Sequence, residues 1–166
     1  QLKSYARKGG EAFEPVDLRV ALSGALTMME PQLRHRRVRL QRSLPREPVM
    51  VLCDRIRLEQ VLINLLSNAR DASPPGGVIR VTSDVAEQTV YLTVEDEGSG
   101  IPKEIQDRLF EPFFTTKAVG EGSGLGLAVA HGVVSECGGR IELVHGRLPG
   151  AAFRIALPLS EEENHD

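Results

Sequence analysis

The chain has no tryptophan, few aromatic residues of any kind and no excess of charge of either sign. Over 166 residues, 20 Lys and Arg are balanced by 23 Asp and Glu, which leaves a formal net charge of −3 at pH 7. This balance gives no electrostatic basis for binding nucleic acid, so we expect no nucleic-acid partner. No run of about 20 apolar residues is present to span a bilayer, and no segment has the pattern of a signal peptide. We therefore expect no membrane contact and a cytoplasmic location for these residues.

Cysteine and histidine are also scarce. The chain has two cysteines, Cys53 and Cys137, and four histidines. Structural zinc sites use four such ligands at short spacing, so we expect none here. The two cysteines are far apart in sequence and form no disulfide framework. We expect both to be reduced, buried thiols of a cytosolic protein.

The remaining composition, 41% hydrophobic and 26% charged, is that of one soluble globular domain. The chain begins with Q-L-K-S-Y-A-R-K-G-G, without an initiator Met, and this stretch is typical of a helix that ends at Gly9-Gly10. We expect the chain to be a piece of a longer protein. It ends with E-E-E-N-H-D, which we expect to be disordered.

The strongest helical pattern lies at residues 58–72, where apolar residues recur at steps of three and four. They are Leu58, Val61, Leu62, Leu65, Leu66 and Ala69. Asp54 can cap the N-terminus of this helix. A polar ridge runs along the other side, formed by Gln60, Asn64, Asn68 and Asp71. Asparagine is a poor helix former, so its two occurrences one turn apart indicate either a solvated face or oxygen ligands for a hard cation such as Mg²⁺.

Alternation and turn residues predict the other elements. They are a strand or turn at 14–17, a helix at 18–36, strands at 38–44 and 49–52, a hairpin of strands at 78–85 and 89–96, short and long helices at 102–110 and 125–136, and strands at 140–145 and 152–159. Helices and strands do not alternate regularly. This order favours an α+β fold, a two-layer α/β sandwich with a mixed, mostly antiparallel sheet on about three helices.

Two glycine-rich segments add to the polar ridge. Residues 96–101, D-E-G-S-G-I, place an acid at a strand end before two spaced glycines, although a simple turn would explain them equally well. Residues 120–127, G-E-G-S-G-L-G-L, open a helix and could hold a phosphate through free backbone N–H groups, or could be a flexible hinge. The spacing fits neither the dinucleotide fingerprint nor the P-loop. Together these features describe a nucleotide site, in which the Asp96 carboxylate would select adenine through its exocyclic amine.

These motifs resemble the ATP-binding catalytic domain of bacterial sensor histidine kinases, particularly the nitrogen-regulator-like group. That domain belongs to the GHKL superfamily, shared with DNA gyrase, mismatch-repair ATPases and the 90-kDa heat-shock chaperone, and has the Bergerat-type fold. The matching boxes, in order, are N-L-L-S-N-A-R-D-A (64–72), D-E-G-S-G (96–100), F-E-P-F-F-T-T-K (110–117), G-S-G-L-G-L (122–127) and the closing strand G-A-A-F-R-I-A-L-P (150–158).

The resemblance implies a site for ATP or ADP with Mg²⁺. Asn68 would be the metal ligand, with Asn64 beside it as a catalytic residue. Asp96 would accept a hydrogen bond from the adenine amino group, and Asp71 would also lie in the nucleotide site. Lys117 would bring positive charge to the β- and γ-phosphates in a catalytic and binding role. The implied backbone-binding positions are Gly98, Gly100, Gly122, Gly124, Leu125 and Gly126.

By the same resemblance, residues 111–124 would form a mobile lid over ATP, anchored by Phe113 and Phe114. Two positions depart from the family pattern. Asp71 stands where many members have Lys, as in the gyrase and chaperone branches, and this removes one phosphate-binding cation. Ala151 stands in place of the usual Thr after the glycine of the closing strand, which removes a hydroxyl near the adenine.

The ATPase branches carry a glutamate, the general base for water, where this chain has Asn64. An amide cannot take a proton at neutral pH, so the resemblance implies transfer of the γ-phosphate to a histidine on a preceding dimerisation domain. His35, His131 and His145 are followed by Arg or Gly rather than by an acid, and His165 lies in the charged tail. We expect the chain to bind nucleotide without phosphorylating itself. An ATP hydrolase and a degenerate scaffold that binds no nucleotide are the alternatives.

The implied organisation has three parts. Residues 1–12 would be the tail of the dimerisation helix or a linker, 13–159 the catalytic domain, and 160–166 a disordered tail. The partners would be the protein's own dimerisation and phosphoacceptor domain and a downstream response regulator. The resemblance also allows a parent protein anchored in the inner membrane.

Overall fold

The computed structural model describes residues 7–8, 11–114 and 126–160 of the chain. The strands are β1 (Arg7–Lys8), β2 (Glu11–Ala12), β3 (Glu14–Asp17), β4 (Arg39–Ser43), β5 (Met50–Cys53), β6 (Val78–Ala86), β7 (Thr89–Glu95), β8 (Arg140–Val144) and β9 (Ala152–Pro158). The helices are α1 (Leu18–His35), α2 (Arg55–Ala72) and α3 (Gly126–Glu136), with a 3₁₀ turn at Lys103–Arg108. Most of the predicted elements are therefore present, within one to three residues at their ends.

A five-stranded sheet forms one layer, in the order β4-β6-β7-β9-β8. Only the β4–β6 pair among these is parallel, so the predicted mixed, mostly antiparallel sheet is confirmed. The predicted β6–β7 hairpin turns at Glu87 and Gln88, both with positive φ, as a tight two-residue hairpin turn requires. Strands β3 and β5 form a separate two-stranded sheet. A single bridge between Val51 and Leu159 connects β5 to the chain just beyond β9.

The three helices form the second layer, and α2 lies in its middle. It packs against α1, α3 and strand β7. Its predicted apolar stripe is buried along its whole length, with Leu58, Leu62 and Leu66 fully enclosed. The helix begins where the Asp54 carboxylate accepts hydrogen bonds from the backbone N–H groups of Ile56 and Arg57, the capping predicted from the sequence. The α+β two-layer fold predicted from the element order is confirmed.

The N-terminal residues differ from the predicted end of a helix. Arg7–Lys8 pairs with Glu11–Ala12 as two antiparallel strands of two residues each. Residues 7 and 8 are extended rather than helical, so the local prediction that they belong to the end of a helix is wrong. The division at residue 13 stays a prediction, and the predicted charged tail lies outside the described residues from 161 onward. No helix in the described segments is both long and apolar enough to cross a membrane.

The prediction of two separate reduced thiols is also wrong. The structure joins Cys53 and Cys137 in a disulfide, with their α-carbons 5.5 Å apart. Cys53 is the last residue of β5, just before α2, and Cys137 follows the last residue of α3. Because α2 and α3 pack together, two residues distant in sequence become neighbours in space. The disulfide thus attaches the C-terminal end of α3 to the start of α2.

Replacing one buried leucine of α2 should test its central place in the core. Leu65 is 1% exposed, and Leu65→Ala should lower the free energy of unfolding by about 2–5 kcal/mol, through lost burial and the cavity left behind. Ile56→Ala is the matched control on the same helix, because Ile56 is 68% exposed, and it should change stability by less than about 0.5 kcal/mol. Urea unfolding monitored by circular dichroism measures both. Equal losses in the two variants would contradict this packing.

Candidate nucleotide site

The two asparagines of the polar ridge have different surroundings. Both are partly buried, one turn apart on α2. The Asn64 side-chain Nδ2 donates a hydrogen bond of 3.0 Å to the carbonyl oxygen of Gly126, the first residue of α3. The Asn68 amide makes no hydrogen bond to any other residue that the structure describes. Asn64 therefore connects two helices, whereas Asn68 is available to a ligand, and an amide oxygen of this kind fits a hard cation such as Mg²⁺.

Asp71, the next polar residue of the ridge, is already engaged with its neighbour. Its Oδ1 accepts hydrogen bonds from Nε and Nη2 of Arg70, at 2.9 and 2.6 Å. Arg70 also donates to the hydroxyl of Ser67, at 3.2 Å. Arg70, the cation beside Asn68 on this helix, is thus paired with Asp71. The family pattern has Lys at position 71, so the Asp at this position both replaces one cation and pairs with another.

Asp96 is a buried carboxylate at the end of β7, with 4% of its surface exposed. Its Oδ1 accepts hydrogen bonds from the backbone N–H groups of Gly98, at 2.8 Å, and Ala151, at 3.2 Å. Oδ2 accepts none from the described parts of the chain. In those parts, the side-chain atoms that are both fully buried and without a hydrogen-bond partner are Arg80 Nε and Ser83 Oγ. Asp96 Oδ2 is not among them, so it is not fully buried and can be reached from outside the fold. One oxygen is fixed by the backbone and the other can accept a donor from outside.

Burial raises the pKa of the Asp96 carboxyl above its usual range. The hydrogen bonds from Gly98 and Ala151 act in the opposite direction and only partly offset this effect. A buried carboxylate whose charge is incompletely compensated gains most from one more hydrogen-bond donor. The exocyclic amine of adenine is a donor of this kind.

The glycine box after Asp96 packs tightly on the end of α2. A Cβ built at Gly98 would lie 2.5 Å from the Ala72 carbonyl oxygen, so no larger residue fits without moving the backbone. Gly100 has a φ of +81°, in the region that favours glycine. The neighbours of Gly126 leave ordinary contact distances, 3.7 Å or more, for a Cβ at that position. Close packing thus explains Gly98, and backbone conformation explains Gly100.

The three sequence motifs meet on one helix. Asn64 bonds to Gly126 of the second glycine box, and Ala72, two turns later, contacts Gly98 of the first. Asn68 lies one turn from each of them. The structure therefore brings Asn64, Asn68, Gly98 and Gly126 to one side of α2.

The other predicted positions fall outside the described residues. They are Lys117, Gly122, Gly124 and Leu125, together with most of the predicted lid at 111–124. Of the two phenylalanines expected to anchor the lid, Phe114 is partly buried under the Arg108 guanidinium, 4.5 Å from its ring centroid, but Phe113 is 73% exposed. Phe113 is therefore not packed against the fold in the described part of this segment.

Two features of the site were missed at the sequence level. Phe110 packs its ring 5.4 Å from that of His131 and 6.3 Å from that of Phe153, so it joins the segment before residue 115 to α3 and β9. Glu95, beside Asp96, is equally buried, at 4% exposed. The sequence did contain a signal for Glu95. Two consecutive acids at the end of a strand point to opposite faces of the sheet, so an exposed position cannot be assumed for both.

Comparison with known proteins identifies the family of this chain. The family model for histidine kinase-, DNA gyrase B-, and HSP90-like ATPases matches residues 53–161, more than half of the chain. The C4-dicarboxylate transport sensor protein DctB of Rhizobium meliloti (strain 1021) is 39% identical over 159 residues, covering 95% of this chain and 25% of DctB. The chain spans about a quarter of the length of the first curated relatives it matches.

Solved structures give the same result. The catalytic domain of histidine kinase ThkA superposes with a TM-score of 0.79 and 32% identity, over 88% of this chain and 95% of that domain. ThkA solved in complex with the response regulator protein TrrA gives a TM-score of 0.76 and 29% identity, over 91% of this chain and 43% of the ThkA chain. The chain belongs to the histidine kinase-, DNA gyrase B- and HSP90-like ATPase family, and within it to the catalytic domains of sensor histidine kinases.

Proposed function

We propose that this chain binds Mg–ATP and presents the γ-phosphate to a histidine on the dimerisation domain of a longer sensor kinase. The observation that carries the proposal is the Asn64 amide, held by its hydrogen bond to Gly126 at the helix pair that flanks the site. An amide at this position cannot act as a base toward water. A site that binds ATP without activating water is suited to donating phosphate to another group.

The adenine end of the site is assigned to Asp96. Its free Oδ2 would accept the hydrogen bond of the exocyclic amine, while Oδ1 stays on Gly98 and Ala151. Guanine has a carbonyl oxygen in place of that amine. This oxygen and the Asp96 carboxylate are both hydrogen-bond acceptors, so guanine would be disfavoured at this position. Gly98 and Gly100 would let the backbone approach the base.

The phosphate end is assigned to Asn68, with Gly126 and the segment before it. When bound, Mg²⁺ would neutralise charge on the phosphate oxygens, and the Asn68 amide oxygen would be its one protein ligand, in keeping with the few protein ligands Mg²⁺ takes. Lys117, Gly122, Gly124 and Leu125 are proposed phosphate contacts on sequence grounds. With Arg70 paired to Asp71, further positive charge for the transferring phosphoryl group would come from Lys117.

The partners follow from the family. ThkA was solved with the response regulator protein TrrA, and we propose that the longer protein containing this chain likewise passes its phosphoryl group to a response regulator. Residues 1–12 would connect to the dimerisation and phosphoacceptor domain, residues 13–159 would form the catalytic domain, and both would lie in the cytoplasm. Transfer then needs a second domain to supply the nucleophile, since the role of this chain is to bind and orient ATP.

Removing the Asn68 amide should weaken metal-dependent binding without unfolding the chain. Asn68→Ala should weaken ADP binding in Mg²⁺ by about 1–3 kcal/mol, because one ligand of the metal is lost. Stability without nucleotide should stay within about 0.5 kcal/mol, since Asn68 has no partner among the described residues. Gln60→Ala, an exposed position two turns earlier on the same ridge, is the control and should bind normally. Calorimetry with and without Mg²⁺ decides, and normal affinity of Asn68→Ala would contradict the assignment.

Replacing Asp96 by its neutral isostere should separate binding from stability. Asp96→Asn should weaken ADP binding by about 1–3 kcal/mol, because an amide N–H would face the adenine amine. The nucleotide-free chain should be as stable or more stable at neutral pH. The raised pKa of Asp96 means that ionisation opposes folding, so the stability gap should grow as pH rises through that pKa and vanish in acid. Urea unfolding at several pH values measures it, and a gap that widens toward acid would have the wrong sign.

Incubation of the chain alone with excess Mg–ATP should release little phosphate. We expect no steady release above about 10⁻³ per second, the order found for nucleotide sites without their catalytic partner group. A coupled phosphate assay measures it, and calorimetry on the same sample establishes that nucleotide is bound. Rapid, steady release would show an ATP hydrolase instead, and absence of any nucleotide binding would show a degenerate scaffold.

A further inference from the structure

We propose that Glu95 is a positioning residue for the adenine end of the site. It holds the β8–β9 segment, residues 145–151, and that segment in turn orients the Asp96 carboxylate. The inference rests on the proposed function, because it takes Asp96 to be the residue that contacts the base. Glu95 itself would not touch the nucleotide.

The burial of Glu95 does not follow from its place in the strand. Side chains alternate along β7, so Glu95 is on the same face of the sheet as Tyr91 and Thr93. Those two are only partly buried, whereas Glu95 is 4% exposed. The difference arises because the β8–β9 segment folds over the end of the strand at this point. A buried carboxylate strongly destabilises a fold unless hydrogen bonds satisfy it, so this position has a specific partner.

The partner is the backbone of the segment itself. Glu95 Oε1 accepts hydrogen bonds from the N–H groups of Arg147, at 2.7 Å, and Leu148, at 2.9 Å. Both amides lie between β8 and β9, beyond the reach of the sheet ladder. Gly146 makes the approach possible, because a Cβ at that position would collide with Glu95 Oε1. One carboxylate oxygen therefore holds the turn of the segment.

The far end of the same segment holds Asp96. The N–H of Gly150 donates to the Asp96 carbonyl oxygen at 3.0 Å, and the N–H of Ala151 donates to Asp96 Oδ1 at 3.2 Å. The Asp96 N–H in turn donates to the Ala151 carbonyl at 3.0 Å. A Cβ at Gly150 would collide with Asp96 Oδ1, so the segment is closely seated. Residues 145–151 thus contact both faces of the sheet at the end of β7, one through Glu95 and the other through Asp96.

Release of the segment from Glu95 would therefore change the state of Asp96. The far end would keep its backbone hydrogen bonds to Asp96, but the N–H of Ala151 would no longer be held from both ends of the segment and would shift away from Oδ1. Gly98, which lies in the same turn as Asp96 itself, would then be the one firm donor to Oδ1. A carboxylate held by one donor can rotate, and Oδ2 would no longer be aimed at one place. Adenine binding would weaken, whereas guanine binding would not, because guanine makes no favourable contact with that oxygen. The base preference is thus the readout that separates positioning from general loss of stability.

Glu95→Met and Glu95→Gln test the inference, because both keep the size of the side chain and only Gln keeps the acceptor. The full chain is titrated with ADP and with GDP, each with Mg²⁺, below the melting temperature of every variant. Glu95→Met should bind ADP about tenfold more weakly, with a tenfold lower preference for ADP over GDP. Glu95→Gln should stay within about threefold of the unchanged chain. Glu142→Met, which removes a carboxylate paired with Arg154 at 2.6 Å on the same sheet, is the matched control and should keep the base preference.

The possible results separate this inference from the proposed function. Normal base preference in Glu95→Met, or equal losses in the Met and Gln variants, would overturn the positioning role. If Asp96→Asn weakens ADP binding while Glu95→Met does not, only the role of Glu95 is wrong. Normal binding in Asp96→Asn would instead remove the base site itself. If Glu95→Met does not fold, Gly146→Ala is the second test of the inference. It keeps the Glu95 carboxylate but places a methyl group against Oε1, which should displace the segment. The base preference should then fall, and an unchanged preference would overturn the inference.

Discussion

The structure depends on the burial of α2 on three sides. This helix contacts α1, α3 and the sheet through one apolar stripe of six buried residues, and a partly buried strip remains beside it. That remaining strip carries Asn64 and Asn68. Because the same backbone forms the centre of the core, the two amides are held by packing rather than by a loop. A metal ligand placed on such an element loses little freedom on binding, which favours affinity.

The end of β7 shows how burial assigns different roles to adjacent carboxylates. Glu95 and Asp96 have the same exposure, yet the first has its hydrogen bonds within the fold and the second keeps one oxygen for a ligand. The β8–β9 segment makes this division by contacting both. A carboxylate that is to accept a hydrogen bond from a ligand needs such support to keep its orientation. A buried carboxylate with a single hydrogen bond would rotate away from the ligand or take up a proton.

The phosphate end is distinguished by what its polar residues bind. Asn64 joins α2 to α3 and, as an amide, provides no base at its own position, while Asp71 pairs with Arg70. The combination fits the proposed function, in which the γ-phosphate is held for another nucleophile rather than for water. In phosphoryl transfer, positioning and charge contribute most of the catalysis, so the proposed transfer to a partner domain would not require a base at the position of Asn64.

The sequence by itself determined the local features of this protein. The stripe of α2, its Asp54 cap, the β6–β7 hairpin and the motif residues Asn64, Asn68 and Asp96 follow from periodicity and short-range chemistry, which act over a few residues. Only the tertiary structure decided the Cys53–Cys137 disulfide, the separate β3–β5 sheet, the exposure of Phe113 and the burial of Glu95. Each of these depends on which distant segments meet. The alternation along β7 places Glu95 on the less buried face of the sheet, with Tyr91 and Thr93, and only the folding of residues 145–151 over the strand end buries it.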